Sequence, residues 1–577
     1  METNKDLQRK LREVDHKSYP AYKGLRGSYI FPGYVLSIDH VQGDPFAAPS
    51  DVHITVAGRD AGFPGFTLET KTARRALADY LLRVFEQQVQ KFSFRSHGSG
   101  KSGLIAVTRP GQERLTRSAC QCSEKEIILR FSVGFPANGR TINSRELEKI
   151  FFEYLPKCVE ASLYYRNLNS RKVEEMIHLA EDQAWIRAEL EKRKLTAFVA
   201  DGAILPRESG VSSRPMKGAV PFASPDSLRI TMDLPHRGKI TGMGVRQGIT
   251  LIVGGGYHGK STLLSAIQLG IYDHIAGDGR EYVITDDTAV KLQAEEGRFV
   301  RDVDISAFIK DLPNGKDTSR FGTEDASGST SQAAGIIESI EAGCKLLLLD
   351  EDTSAANFMV RDTFMQQVVS PDKEPITPFV SRAKDLYRTC GMSTILVAGS
   401  SGAFFHIADT VIWMDAYKPV DITGKVKDMC SQFPFTAESG SNFTVPSGIR
   451  IMTKDSNMAT KRRNYRTGEV VDDGRNRLKV KVNGPDSFTI GSQIVDLRHI
   501  EQLVDREQTA ALGMCLKYAV EHLIDGRSSL AEIAEVLANE LETQGFLLTG
   551  ERGPVTAGLA LPRKMEIYSC LNRYRRT

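Results

Sequence analysis

One nine-residue segment constrains this chain more than any other: Gly254-Gly255-Gly256-Tyr257-His258-Gly259-Lys260-Ser261-Thr262. Gly254-x4-Gly259-Lys260-Ser261 fits the Walker A pattern. Ile249 to Val253 before it reads as a buried strand, and Thr262 to Ile267 after it opens a helix. Glycines let backbone N–H groups approach phosphate oxygens, and the helix N-terminus adds a favourable dipole. All nine residues are therefore expected to line a nucleotide. Lys260 is expected to reach its β- and γ-phosphates and Ser261 to ligate Mg²⁺. Such a unit belongs to an α/β fold. Between about residues 216 and 430, apolar runs alternate with helices and loops, as in a sheet buried on both faces. The runs are Ile249 to Val253, Tyr282 to Thr285, Leu346 to Leu349, Thr394 to Ala398 and Thr410 to Met414.

A second Gly-Lys-Ser occurs at Gly98-Ser99-Gly100-Lys101-Ser102-Gly103. Arg95 stands where the leading glycine is needed, and Ile105-Ala106-Val107 after it reads as strand, so a structural turn is expected. Leu346-Leu347-Leu348-Leu349-Asp350-Glu351 reads as a Walker B strand. Asp350 is expected to hold Mg²⁺, and Glu351 to polarise the attacking water as general base.

Ala326-Ser327-Gly328-Ser329-Thr330-Ser331-Gln332 narrows the class. It resembles the ABC signature Leu-Ser-Gly-Gly-Gln, with Ser327 and Gly328 in the matching places. Ser327 lies 23 residues before Asp350, a common ABC spacing. A helix expected over Ala333 to Ala342 would aim its dipole at phosphate, with Ser327, Gly328 and Ser329 at the contact. Asp352 to Asn357 stands in the place of the D-loop. No histidine follows the strand Thr394 to Ala398, where a γ-phosphate switch belongs. Gly399-Ser400-Ser401-Gly402 is there instead, leaving Ser400 or Ser401 for that role and His406 as an ordinary histidine. Gln293 and the segment Asp304-Ile305-Ser306 are both Q-loop candidates.

The chain of 577 residues is too long for one core. The expected organisation is an N-terminal α+β domain (1–215), an ABC-type P-loop NTPase core of α/β class (216–430) and a C-terminal basic, mixed and helical domain (431–577). A net charge of +3 implies no partner by itself, so charge clusters matter more. Lys461-Arg462-Arg463-Asn464-Tyr465-Arg466, with Arg475 and Arg477 beyond, could contact phosphates and stack a base. A solvated loop and strand face is the alternative. No apolar run reaches bilayer length, and the eight cysteines form no zinc pattern. A soluble, cytoplasmic protein with free thiols is expected.

These residues together resemble the soluble, predicted ABC-class ATPases of bacteria and some protists, a family that includes a toroidal trypanosome mitochondrial RNA-editing factor. Beyond the core motifs, the resemblance rests on Asp39 to Phe46, Gly100 to Gly103, Ile204 to Arg207, Gly277 to Glu281, Glu501 to Asp505 and Pro562-Arg563. It implies a ring-like homodimer with a basic pore that accepts nucleic acid, RNA or DNA. Two positions depart from the family pattern: Ala403, where an acidic residue follows the glycine, and Ala356, where threonine stands. Both bear on the hydrolysis rate more than on ATP binding. The expected function is an ATP- and Mg²⁺-dependent ABC-class ATPase whose sites are shared between two chains. A slow or non-hydrolysing ATP-gated scaffold, a soluble subunit of a transport system and a small-molecule kinase are the rivals.

Overall fold

The computed structural model describes residues 1–361, 373–433, 443–445, 449–453, 461–463, 470–472, 478–549 and 555–575. The chain forms two compact units. One comprises Met1–Ala184, Pro235–Arg237 and Glu551–Leu561; the other comprises Trp185–Leu234, Gly238–Gly550 and Pro562–Thr577.

The first unit is built on a seven-stranded sheet. Ser50–Ala57 alternates strictly, burying Val52, Ile54 and Val56 on one face, because strand side chains alternate with a period of two. It pairs antiparallel with Tyr34–His40 on one side and Glu126–Val133 on the other. Helix Lys71–Gln90 starts at Thr70, whose hydroxyl accepts the Ala73 N–H at 3.0 Å. Its buried stripe includes Ala73, Leu77, Leu81 and Phe85, and the Phe85 ring lies 5.5 Å from that of Phe131. The Gly98–Gly103 segment is here, and it is a turn that leads into strand Ile105–Ala106.

The second unit contains two larger sheets. In the six-stranded one the order is Val290–Leu292, Leu346–Asp350, Ser393–Val397, Ile249–Val253, Thr410–Asp415 and Lys418–Asp421. All neighbours are parallel except the last pair, a hairpin. The four leucines of Leu346–Asp350 are fully buried. Each contributes roughly 1.5–3 kcal/mol by leaving water, which fixes the strand in the sheet interior. Helices Lys260–Leu269, Gly328–Ala342 and Phe379–Cys390 belong to the same unit.

One strand expected here belongs elsewhere. Val283–Thr285 joins a four-stranded antiparallel sheet, where it pairs with Leu195–Ala200. The parallel sheet uses Val290–Leu292 instead, a three-residue strand too short to carry a periodic signal.

Towards the C-terminus lie a hairpin of Lys461–Arg463 with Val470–Asp472, a three-stranded sheet, and helices Arg506–Tyr518, Leu530–Gln544 and Lys564–Asn572. Of the expected basic residues, Lys461, Arg462 and Arg463 lie on that first strand. Arg466, Arg475 and Arg477 lie outside the described residues. Among the described residues no helix is long and apolar enough to cross a membrane. All eight cysteines are free.

Candidate nucleotide site

Strand Ile249–Val253 lies inside the sheet, and its C-terminal end delivers Gly254. Gly254 has φ +148°, and a Cβ there would sit 2.6 Å from the Met414 carbonyl. Only glycine lets the chain turn this close to the neighbouring strand. Gly259 has φ +96° and opens helix Lys260–Leu269 without any side-chain cap, which leaves the first helical N–H groups available to an anion.

The hairpin turn after Thr410–Asp415 braces the loop. The Ala416 N–H donates to His258 Nδ1 at 3.0 Å, and the Tyr417 N–H donates to the His258 carbonyl at 3.2 Å. His258 is thus a bracing residue as well as a member of the loop. Tyr257 is 98% exposed and holds φ +62°, a conformation that costs a bulky residue energy and recurs at ligand sites. Gly255, Gly256 and Thr262 complete the turn and the first helical step. The Lys260 ammonium folds back on the carbonyls of Gly254 at 2.7 Å and Gly255 at 2.9 Å.

Sheet register brings the carboxylates level with this loop. Asp350 pairs with Val397, and Val397 with Ile252, so the three strand ends share one row. Asp350 is buried, and its Oδ2 lies 3.4 Å from Ser261 Oγ. Two oxygen donors from the phosphate helix and the Walker B strand suit a hard dication such as Mg²⁺. The other oxygen, Oδ1, accepts the Asp352 N–H at 3.2 Å.

Glu351 is held by the segment where a switch histidine belongs. Its Oε2 accepts N–H groups from Gly399 at 2.7 Å and Ser400 at 3.0 Å. Its Oε1 accepts the Ser400 hydroxyl at 2.6 Å. Partial burial opposes ionisation, but the Ser400 hydroxyl and the N–H groups of Ser400, Gly399 and Ser401 outweigh it and hold the carboxyl below its usual range. The sequence pointed to Ser400 and Ser401 without distinguishing them. Ser401 Oγ instead accepts the Ala403 N–H at 3.4 Å, starting the turn Gly402–His406.

The signature segment sits at the start of helix Gly328–Ala342, earlier than the expected Ala333. Ser327 is exposed and caps it, its Oγ accepting the Thr330 N–H at 3.4 Å. A Cβ on Gly328 would sit 3.2 Å from Ala294 and 3.5 Å from Ala355. Ser329 Oγ donates to Asn357 Oδ1 at 2.8 Å. Gln332 donates to Ser354 Oγ at 3.0 Å and accepts the Ala355 N–H at 3.0 Å. The signature is therefore tied to the D-loop of its own chain. Among the described residues, no hydrogen bond or ion pair joins 326–332 to 254–262.

Gln293 follows Val290–Leu292, beside the Walker B strand, and Nε2 lies 3.0 Å from His499 Nδ1. Asp304 Oδ1 accepts the Ser306 N–H of its own turn at 3.0 Å. Around Gln293 the core meets the C-terminal part of the same unit. Lys291 Nζ lies 3.4 Å from Glu501, and Arg573 Nη2 bonds Glu295 at 2.5 Å. Glu295 in turn donates its N–H to Ser331 Oγ of the signature helix at 2.9 Å. His499, Arg573 and Ala416 carry no motif, so no sequence signal marked them.

Residues 169–447 match the ABC ATPase family, described as a P-loop domain. Residues 4–166 match the family described as ATPase of the ABC class N-terminal, and residues 479–577 the MRB1590 C-terminal domain. The chain belongs to the ABC-class ATPases related to MRB1590. The uncharacterised protein MJ1628 of Methanocaldococcus jannaschii is 30% identical over 258 residues, which cover 41% of this chain and 54% of that protein. The chain thus spans about half the length of the curated relative it matches. Among solved structures, the ADP conformation of MJ1267, an ATP-binding cassette of an ABC transporter, is 11% identical with a TM-score of 0.25, covering 41% of this chain and 95% of that one. The protein cbiO1 from Clostridium perfringens, part of the ABC transporter complex cbiONQ, is 12% identical with a TM-score of 0.25, covering 42% and 92%.

Proposed function

We propose that this chain hydrolyses ATP at Gly254–Thr262, Asp350 and Glu351, as half of a site that a second copy completes. The observation that carries the reading is the row formed by Ile252, Val397 and Asp350, which sets the open helix N-terminus beside two carboxylates. The loop N–H groups and Lys260 bind the phosphates and keep the chain of phosphates in line. Ser261 and Asp350 would hold Mg²⁺, which neutralises charge on the phosphate oxygens when bound. Glu351 orients the attacking water and takes its proton.

The exposed Ser327 and the N–H groups at the start of its helix supply the γ-phosphate contact of the other chain. That role is supported by the signature's bonds to its own D-loop rather than to its own phosphate loop. ATP then favours the closed pair, and phosphate release favours opening, because the two states differ in affinity for the γ-phosphate. Nucleic acid is the partner we assign to the basic region. The supporting features are Lys461, Arg462 and Arg463 on one strand, the exposed Lys479 and Lys481, and the family resemblance. Arg466, Arg475 and Arg477 complete the expected basic set.

The test is steady-state ATP turnover of wild type and Glu351→Gln, with and without single- and double-stranded RNA and DNA at stated salt. Glu351→Gln is expected to lose turnover by about 10²–10⁴-fold while still binding ATP. Wild-type turnover in the variant would remove Glu351 as the base, and no binding of any nucleic acid at low salt would remove the partner. A second reading, the slow ATP-gated scaffold, is favoured by one observation: both oxygens of Glu351 are occupied by donors. ATP binding by wild type with no measurable turnover, with or without nucleic acid, would select it.

A further inference from the structure

The bonds around Glu351 do more than replace a missing histidine. A carboxylate oxygen has two in-plane lone pairs. Two N–H groups use those of Oε2, and the Ser400 hydroxyl uses one on Oε1. A base so engaged is a poor proton acceptor. The two N–H donors belong to the backbone and stay where they are. The hydroxyl is different, because it carries a single proton on a rotor and can give it to only one acceptor at a time. Ser400 is exposed, so a ligand can reach it. It stands two residues beyond Ala398 and three beyond Val397, the residue paired with both Asp350 and Ile252. Its hydroxyl is thus at the phosphate end of the sheet.

We infer that Ser400 is the positioning residue that couples the γ-phosphate to the base, clamping Glu351 without ATP and releasing Oε1 when its hydroxyl turns to a γ-phosphate oxygen. The inference rests on the ATPase reading and deepens it. In the released state the water oxygen bonds to the γ-phosphorus as the bond from that phosphorus to the β–γ bridging oxygen breaks. The water's proton passes to Glu351 Oε1, ADP keeps the electron pair of the broken bond, and inorganic phosphate leaves. The Ser400 proton is never transferred; only its acceptor changes. The device needs a triphosphate, so ADP leaves the clamp shut.

The experiment compares full-length wild type, Ser400→Ala and Ser400→Thr. The readout is the ratio of equilibrium affinities for a β,γ-imido ATP analogue and for ADP, each with Mg²⁺. Ser400→Ala is expected to lose about tenfold of the preference for the triphosphate, the margin by which the γ-phosphate bond must exceed the Glu351 bond it replaces if the clamp is to open in about nine molecules of ten. Ser400→Thr keeps the hydroxyl and retains the preference. An unchanged triphosphate preference in Ser400→Ala overturns the inference. If wild type turns over no ATP, the hydrolysis reading fails, yet the affinity ratio still decides the role of Ser400.

Discussion

Gly-Lys-Ser occurs twice in this chain, at Gly100-Lys101-Ser102 and at Gly259-Lys260-Ser261, in two unlike settings. In the first, the N–H groups of Ser99, Lys101, Ser102 and Gly103 are spent on backbone carbonyls. The N–H of Ser99 bonds the Ala137 carbonyl at 2.7 Å, that of Lys101 the Pro45 carbonyl at 2.9 Å and that of Gly103 the Gly134 carbonyl at 3.0 Å. A strand follows. In the second, the leading glycine stands five residues earlier, the helix opens uncapped, and the flanking sheet sets two carboxylates in the same row. The tripeptide is common to both. Unspent N–H groups at a helix N-terminus are what a phosphate needs, and only one segment has them.

The largest difference is expected for Lys260→Ala, which should lose about 10²–10³-fold in ATP turnover through the missing charge on the phosphates. Equal activity in variant and wild type would equate the two segments. Next comes Gly254→Ala. Its φ of +148° and the Met414 carbonyl 2.6 Å from the new Cβ force the loop to shift, so nucleotide affinity should fall at least about tenfold. Isothermal titration with ADP reads this.

Gly103→Ala carries comparable strain, with φ +79° and a Cβ 1.9 Å from the Ser96 carbonyl. Here the effect should be structural only. We expect about 2–4 kcal/mol of lost stability in denaturant unfolding and an unchanged ADP affinity in the folded fraction. A drop in affinity would assign the first turn a part in binding. The smallest effect belongs to Lys101→Ala, a substitution in a spent turn, which should change stability by no more than about 0.5 kcal/mol and turnover not at all.

How far the sequence could be read depended on the kind of signal. Continuous apolar runs disclosed Ile249–Val253 and Leu346–Asp350, because a strand buried on both faces has no polar position to interrupt it. The same run at Val283–Thr285 disclosed a strand but not its partner, since hydrophobicity does not encode which edge a strand joins. Val290–Leu292 escaped because Lys291 stands in its middle, buried beside Glu501. That the Gly254 loop and the Asp350-Glu351 pair lie together was legible because a Walker pattern fixes residue type and spacing.

The bonds between them were not legible. Gly399 and Ser400 meet Glu351 only because register aligns Asp350 with Val397, a long-range fact. The brace at Ala416 and Tyr417 was also hidden. Both residues hold positive φ, +45° and +71°, without the glycine or asparagine that usually marks such a turn.

The central claim is that the Gly254 loop is half a site, completed by Ser327 of a second chain. Mixing two inactive variants, Lys260→Ala and Ser327→Arg, and measuring ATP turnover tests it most directly. A mixed pair holds one site with an intact loop from one chain and an intact signature from the other. Random pairing should therefore restore about a quarter of wild-type turnover, while each variant alone stays inactive. Mixtures no more active than their components would contradict a shared site and leave each chain to complete its own.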